Sequence, residues 1–141
     1  MSMAPERKWI GSGVEHEKTF GYARAVRVGE WILVSGTVAS GSEGPVAPGD
    51  VAGQARFILD KIEKSIERLG GRIEDVVRTR VYLRRVDDWK AVAPIHGERF
   101  GKIRPANVLV KAEVPGEYLV EIEADAVVGS GAKSSELQSI S

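Results

Sequence analysis

Hydrophobic and polar positions along this chain repeat with two periods. Residues 22–28 alternate in polarity and run into Gly29-Glu30, a turn signal. Residues 31–38, Trp-Ile-Leu-Val-Ser-Gly-Thr-Val, are rich in β-branched and aromatic side chains. Together they predict a hairpin. Residues 40–49 carry three Gly and two Pro and predict a loop. The period then changes. Val51, Ala55, Ile58, Ile62, Ile66 and Leu69 fall at spacings of three and four, one apolar stripe on a helix. Asp50 is its expected N-cap and Gly70-Gly71 its stop.

Alternation returns over 76–86. Val77, Thr79, Val81 and Leu83 are expected on one face, with Arg78, Arg80, Tyr82 and Arg84 on the other. Asp87 or Asp88 suits the cap of a second helix, with Trp89, Val92, His96 and Phe100 along one side. Pro94 predicts a kink there, or a later start, because it lacks an N–H and clashes with the preceding turn. Strands are expected over 106–114 and 118–128. In the latter Val120, Ile122, Ala124 and Ala126 alternate with Glu121, Glu123 and Asp125. Before the hairpin the pattern is weak, and the stretch after Val14 is read as a short edge strand. Residues 129–141 are small and polar and are expected to form a disordered tail after a single domain over 1–128.

The order β-β-α-β-α-β-β is an α+β arrangement. Each helix has one apolar stripe, so both should cover the same face of one sheet. The other face must meet solvent or another subunit. It carries charge, but also Tyr22, Val26 and Tyr82.

Composition narrows the chemistry. At 43% hydrophobic and 28% charged residues, the chain belongs with globular proteins. Twenty basic residues balance twenty acidic ones, so nothing favours nucleic acid as partner. No cysteine is present, which removes disulfides, thiolate nucleophiles and Cys-type zinc sites. Two histidines, His16 and His96, with distant carboxylates make no recognisable metal site, and no cofactor motif is seen. Gly-Ser-Glu-Gly-Pro lacks the lysine and setting of a phosphate loop. Ser35 lacks the partners of a catalytic triad. No run is long enough to span a membrane, and the first residues do not read as a signal peptide. The expected location is cytoplasmic.

The acidic row Glu121, Glu123 and Asp125 has two readings. The carboxylates can pair across the sheet with Arg78, Arg80 and Arg84. Alternatively, one of them lies in a pocket and orients or deprotonates a water. Residue pattern alone does not choose.

Four segments carry a resemblance: GYARAVRVG (21–29), WILVSGTVA (31–39), RPANVLVKAEVPG (104–116) and VEIEADAVV (120–128). They resemble the RidA/YjgF (Rid) family of small trimeric proteins, over nearly the whole of 21–128. The resemblance implies a single mixed or antiparallel sheet with two helices on one face, the chorismate-mutase-like YjgF fold. It also implies a homotrimer with a small-molecule ligand in each of three intersubunit clefts. The best-understood members hydrolyse reactive imines and enamines. In them the first Glu of Glu-Ile-Glu positions the attacking water, which maps to Glu121. The family's pocket tyrosine maps to Tyr22, and its Ser-Gly motif to Ser35-Gly36.

Three departures from the family follow. Asn107 stands where an arginine holds the substrate carboxylate, and an amide offers no charged fork. The stretch Pro105 to Pro115 is one residue shorter, which re-aims side chains if a bulge is lost. An Asn of the second helix becomes Ala93, with His96 at an aromatic position nearby. Arg24, on the strand face of Tyr22, or Arg104 is the candidate replacement for the missing charge; each is also readable as an ordinary solvated arginine. The expected site is therefore Glu121 as catalytic group, with Tyr22, Arg24, Ser35, Trp89, His96 and Asn107 against the substrate. The implied activity is a deaminase-like hydrolase of altered specificity, on a substrate without a carboxylate anchor. Alternatives are a ligand-binding homotrimer without turnover and, against the charge balance, an endoribonuclease.

Overall fold

A computed structural model of the chain describes residues 3–140. The long stripe forms α2, Val51–Arg68, with Asp50 accepting a hydrogen bond from Gly53 N at 3.0 Å. Ala55, Ile58, Leu59, Ile62 and Ile66 of this helix are fully buried. Each large aliphatic among them contributes about 1.5–3 kcal/mol by leaving water. Gly70 turns the chain out of the helix at φ 90°, a conformation costly for any residue with a Cβ.

The strands are β1 Arg7–Ile10, β2 Ala25–Val28, β3 Trp31–Thr37, β6 Val76–Leu83, β7 Ala106–Lys111 and β8 Val120–Val127. They make one mixed sheet in the order β1-β2-β3-β8-β6-β7. Among the described residues only β6 and β7 pair in parallel. Helix α3, Trp89–Phe100, packs beside α2, and both cover the face carrying Ile32, Val34, Val81, Leu83, Ile122 and Ala124. The architecture is the expected α+β sheet with two helices on one face.

Several local expectations are corrected. The residues after Val14 form a helix, α1 Glu15–Phe20, and the edge strand lies earlier, at β1. Glu17 explains the exchange: its carboxylate accepts from Ser12 N at 3.0 Å and from the Ser12 hydroxyl, fixing the turn between the two elements. Gly21 then ends α1 at φ 85°. The loop 40–49 contains a small hairpin of β4 Ser40–Gly41 and β5 Gly44–Pro45.

In β6 the register shifts between Val76 and Arg78. Val76 is buried in place of Val77, and the inward series continues as Thr79, Val81 and Leu83. The strand also stops at Leu83, short of residue 86. The second helix starts at Trp89 with Pro94 inside it. Pro94 lies on the exposed side, where water can satisfy the Lys90 carbonyl it leaves unbonded. Val92, Ile95 and Phe100 make the buried stripe, whereas Trp89 is 48% exposed.

The first residues of the expected tail form a turn, Ser130–Ala132, docked on Asp75. Ser130 Oγ donates to Asp75 O at 3.3 Å, and Gly131 N to Asp75 Oδ1 at 3.0 Å.

The open face bears Trp9, Val26, Trp31, Leu33, Val108 and Val110 around a charged centre. Arg80 there pairs with Asp125 at 3.2 Å and Glu123 at 3.9 Å, and the Tyr82 hydroxyl donates to Glu123. That bond raises the Tyr82 pKa, with burial adding to it. Among the described residues no helix is long and apolar enough to cross a membrane.

Candidate active site

Glu121 is the carboxylate of the acidic row that no ion pair engages among the described residues. Its place follows from a bulge. Val34 pairs with Ala124 and Thr37 with Ile122, so β3 has an extra residue opposite β8. The bulge sets Gly36 against Glu121. A Cβ at residue 36 would fall 2.7 Å from Glu121 Oε2, so glycine makes the room for the carboxylate. Burial raises the Glu121 pKa, Arg24 opposes that shift, and Glu123 adds to it. The result is a carboxylate with more affinity for a proton than an exposed one, which suits a general base.

A cavity of about 340 Å³ opens beside Glu121, lined among others by His16, Tyr22, Arg24, Lys61 and Tyr118. That volume is in the range that holds small metabolites. Arg24 is only 7% exposed. Its Nη2 donates to Gly36 O at 2.6 Å, while among the described residues its Nε has no partner. Burial pulls its pKa down, and Tyr22, Glu17 and Glu121 oppose the shift. Lys61 reaches in from α2, its Nζ donating to Ser40 O at 3.3 Å. Burial lowers its pKa, Arg24 lowers it further, and Glu17 opposes both. Burial also raises the Glu17 carboxyl, but the Ser12 hydrogen bonds, Arg24 and His16 outweigh it and leave the pKa lowered.

The outer wall is the loop through Pro115, Gly116 and Tyr118, and Arg84 holds it. Its guanidinium donates to the carbonyls of Val114, Gly116 and Tyr118 at 2.5, 2.6 and 2.9 Å. The sequence suggested a carboxylate partner for Arg84; the guanidinium organises backbone instead. Gln54, buried on α2, joins the same loop by accepting from Leu119 N at 2.9 Å.

Within the chain this cavity brings together Tyr22, Arg24 and Glu121. Ser35 is placed next to it, lining a wider concavity of about 730 Å³ with Trp9, Glu17 and Tyr22, and its hydroxyl donates to Ala23 O at 2.7 Å. Trp89, His96 and Asn107 lie elsewhere. Asn107 pairs in register with Thr79, an inward residue, and so projects on the opposite sheet face from Glu121. Its Nδ2 donates to Thr79 Oγ1 at 2.9 Å, and Thr79 Oγ1 lies 2.8 Å from His96 Nε2. The Thr79 hydroxyl and His96 Nε2 share a hydrogen bond whose direction follows the tautomer of the ring. Burial lowers the His96 pKa, which keeps the ring neutral for that bond. Arg104, at φ 61°, lines a separate concavity with Glu74, Val77 and Lys102.

Lys61, His16 and Tyr118 are among the lining residues that sequence reasoning missed. Lys61 flanks the apolar stripe, three residues beyond Ile58 and next to Ile62, the one local hint that it borders the sheet. Among the described residues no group of three or more His, Asp or Glu side chains forms a metal site.

Residues 14–128 match the family described as Endoribonuclease L-PSP. A crystal structure of a YjgF/YER057c/UK114 family member from Mycobacterium tuberculosis is 41% identical. It covers 87% of this chain and 100% of its own, with a TM-score of 0.79. The YjgF gene product of Escherichia coli is 31% identical over 75% of this chain and 87% of its own, with a TM-score of 0.69. The 2-iminobutanoate/2-iminopropanoate deaminase of Escherichia coli K12 is 32% identical over 110 residues, 75% of this chain and 86% of that protein. Sequence match and shared sheet agree, and the chain belongs to the YjgF/Rid family.

Proposed function

We propose that this protein hydrolyses a small imine or enamine-type substrate, with Glu121 as the base that orients and deprotonates water. The observation that carries the reading is the half-buried Glu121 carboxylate, free of ion pairs among the described residues and facing a cavity of about 340 Å³. In the proposed step water adds to the C=N carbon as Glu121 takes its proton. The nitrogen is then protonated and leaves as ammonia or amine, giving the carbonyl product and returning Glu121 to its ionised form. Tyr22 bounds the substrate at the mouth. Residue 107 takes no part as a charge, because Asn107 is neutral and its amide is engaged by Thr79.

The proposal includes a cytoplasmic homotrimer built on the open sheet face. Exposed Trp9, Trp31, Leu33, Val108 and Val110 supply apolar area that a second copy would cover. In such an assembly the exposed Asn107 edge of one subunit, with His96 behind it, can close the Glu121 cavity of the next. That reunites residues which one chain keeps on opposite faces.

The test is turnover of a neutral imine, and of the imines released by an amino-acid oxidase, by wild type, Glu121→Ala and Glu121→Gln. Loss of turnover in both variants supports the reading, and undiminished turnover refutes it. A wild type that binds these compounds and leaves them unchanged would make the protein a ligand-binding member.

A further inference from the structure

Lys61 enters the Glu121 cavity from α2, half-buried, and lines it together with Glu121 itself. Its Nζ donates one long hydrogen bond, 3.3 Å to Ser40 O. Among the described residues it has no carboxylate within ion-pair distance. The acids beside it on α2 are engaged elsewhere, since Asp60 and Glu63 pair with Arg99 at 2.6 and 2.9 Å. Glu17 has both carboxylate oxygens on Ser12. Its charge still favours the ammonium form of Lys61, but burial and then Arg24 outweigh it, and the pKa is lowered. Lys64, three residues on along the same helix, is exposed. The difference matters chemically. An ammonium has no lone pair to give, whereas a desolvated amine beside another cation is a nucleophile. One N–H is enough for Ser40, and the lone pair is then left for the cavity.

We propose that Lys61 is a covalent nucleophile of this cavity, forming an imine with the electrophilic carbon of a small aldehyde, ketone or imine. Nζ attacks that carbon, a C–N bond forms, and the π pair of the carbonyl moves onto oxygen. Nitrogen gives up a proton and oxygen takes one, which yields a carbinolamine. Glu121, whose burial favours its protonated form, then gives a proton to the hydroxyl. The hydroxyl leaves as water while the nitrogen lone pair closes C=N. With an imine substrate the same attack expels ammonia or amine in place of water. Water directed by Glu121 hydrolyses the Lys61 imine, which restores the amine and releases the carbonyl compound. Proton transfers balance the cycle, and no oxidant or reductant is consumed. The inference rests on this cavity being the site of imine chemistry, but the adduct is measured without turnover.

Butanal is the probe, because it is small and neutral. The full chain is treated near neutral pH with limiting butanal and excess cyanoborohydride, which fixes each imine as a secondary amine when it forms. Peptide mass spectrometry then follows butyl groups at every lysine. Lys61 should be labelled about tenfold or more faster than Lys64, the exposed control on the same helix. Glu121→Gln should slow labelling of Lys61 and leave that of Lys64 unchanged, because the departing hydroxyl loses its proton donor. Lys61→Arg keeps a charge but cannot form the imine, so it should lower kcat for a turned-over imine by about tenfold or more. Circular dichroism checks that each variant is folded. A labelling rate at Lys61 no greater than at Lys64 overturns the inference. So does a Lys61 rate that Glu121→Gln leaves unchanged, or wild-type kcat in folded Lys61→Arg. Failure of the hydrolase reading would appear as undiminished turnover in the Glu121 variants, independently of the labelling of Lys61.

Discussion

Gly36→Ala adds one methyl group against the Glu121 carboxylate. The new Cβ would lie 2.7 Å from Oε2 and 3.1 Å from Cδ. To reach ordinary contact at 3.4 Å the carboxylate must retreat by roughly 0.7 Å. The backbone at Gly36 does not have positive φ, so alanine is sterically admissible there. The clash falls on the end of a flexible side chain. Moving it off its rotamer costs about 0.5–1.5 kcal/mol. Loss of glycine's freedom in the unfolded chain offsets about 0.4–1 kcal/mol of that. The melting temperature should therefore fall by no more than about 4 °C. Catalysis is far more sensitive, since a displacement of about 1 Å can cost roughly a hundredfold in rate. Steady-state turnover of an oxidase-generated imine, beside a thermal melt, reads both. The expected result is a loss of kcat of about ten- to a hundredfold in a protein of nearly unchanged stability. Wild-type kcat in Gly36→Ala would refute the assignment of Glu121 and of Gly36 as its spacer.

Arg84→Ala removes three hydrogen bonds to loop carbonyls and should destabilise by about 2 kcal/mol. It should also raise KM, because Pro115, Gly116 and Tyr118 wall the cavity; an unchanged melt and KM would contradict the clamp. His96 is held below its ordinary value of 6.5 by burial. The unfolded chain therefore binds the extra proton first as pH falls. Stability should be flat with respect to this group above about pH 6.5, decline below it, and level off beneath the folded-state pKa. Urea unfolding between about pH 5 and 8 should show that slope in wild type and less of it in His96→Gln; equal slopes would remove His96 from the account. Leu33→Glu places a charge across from Asp125 in the middle of the open face. Light scattering should then report a smaller assembly than wild type, and an unchanged mass would move the interface elsewhere.

The parts legible in the sequence are those fixed locally. Helix α2 could be read because its stripe, its Asp50 cap and its Gly70 stop all lie within twenty or so residues of one another. Helix α1 could not, because its six residues depend on Glu17 reaching back to Ser12. Alternation gave β8 correctly but misplaced Val77, since a bulge changes the phase of β6 without leaving a mark such as glycine. The site divides in the same way. Glu121, Tyr22 and Arg24 lie on strands, or beside them, where motif and alternation agree. Lys61 and Tyr118 enter the cavity through the packing of α2 and the folding of the 114–118 loop. The face on which Asn107 projects depends on its parallel register with Thr79, a long-range pairing that no local pattern encodes.

The position of β8 has a consequence for how the chain is made. It is the last strand in sequence, yet it lies between β3 and β6 near the middle of the sheet. During synthesis the β1-β2-β3 ribbon and the β6-β7 pair must wait as two separate fragments, each with an unpaired edge. Neither can join the other until residues 120–127 emerge from the ribosome. Assembly is therefore a late, long-range event, of the kind that folds slowly and leaves edges open to wrong partners in the interval. The same insertion delivers Glu121 to Gly36, so the cavity comes into existence in the step that closes the sheet.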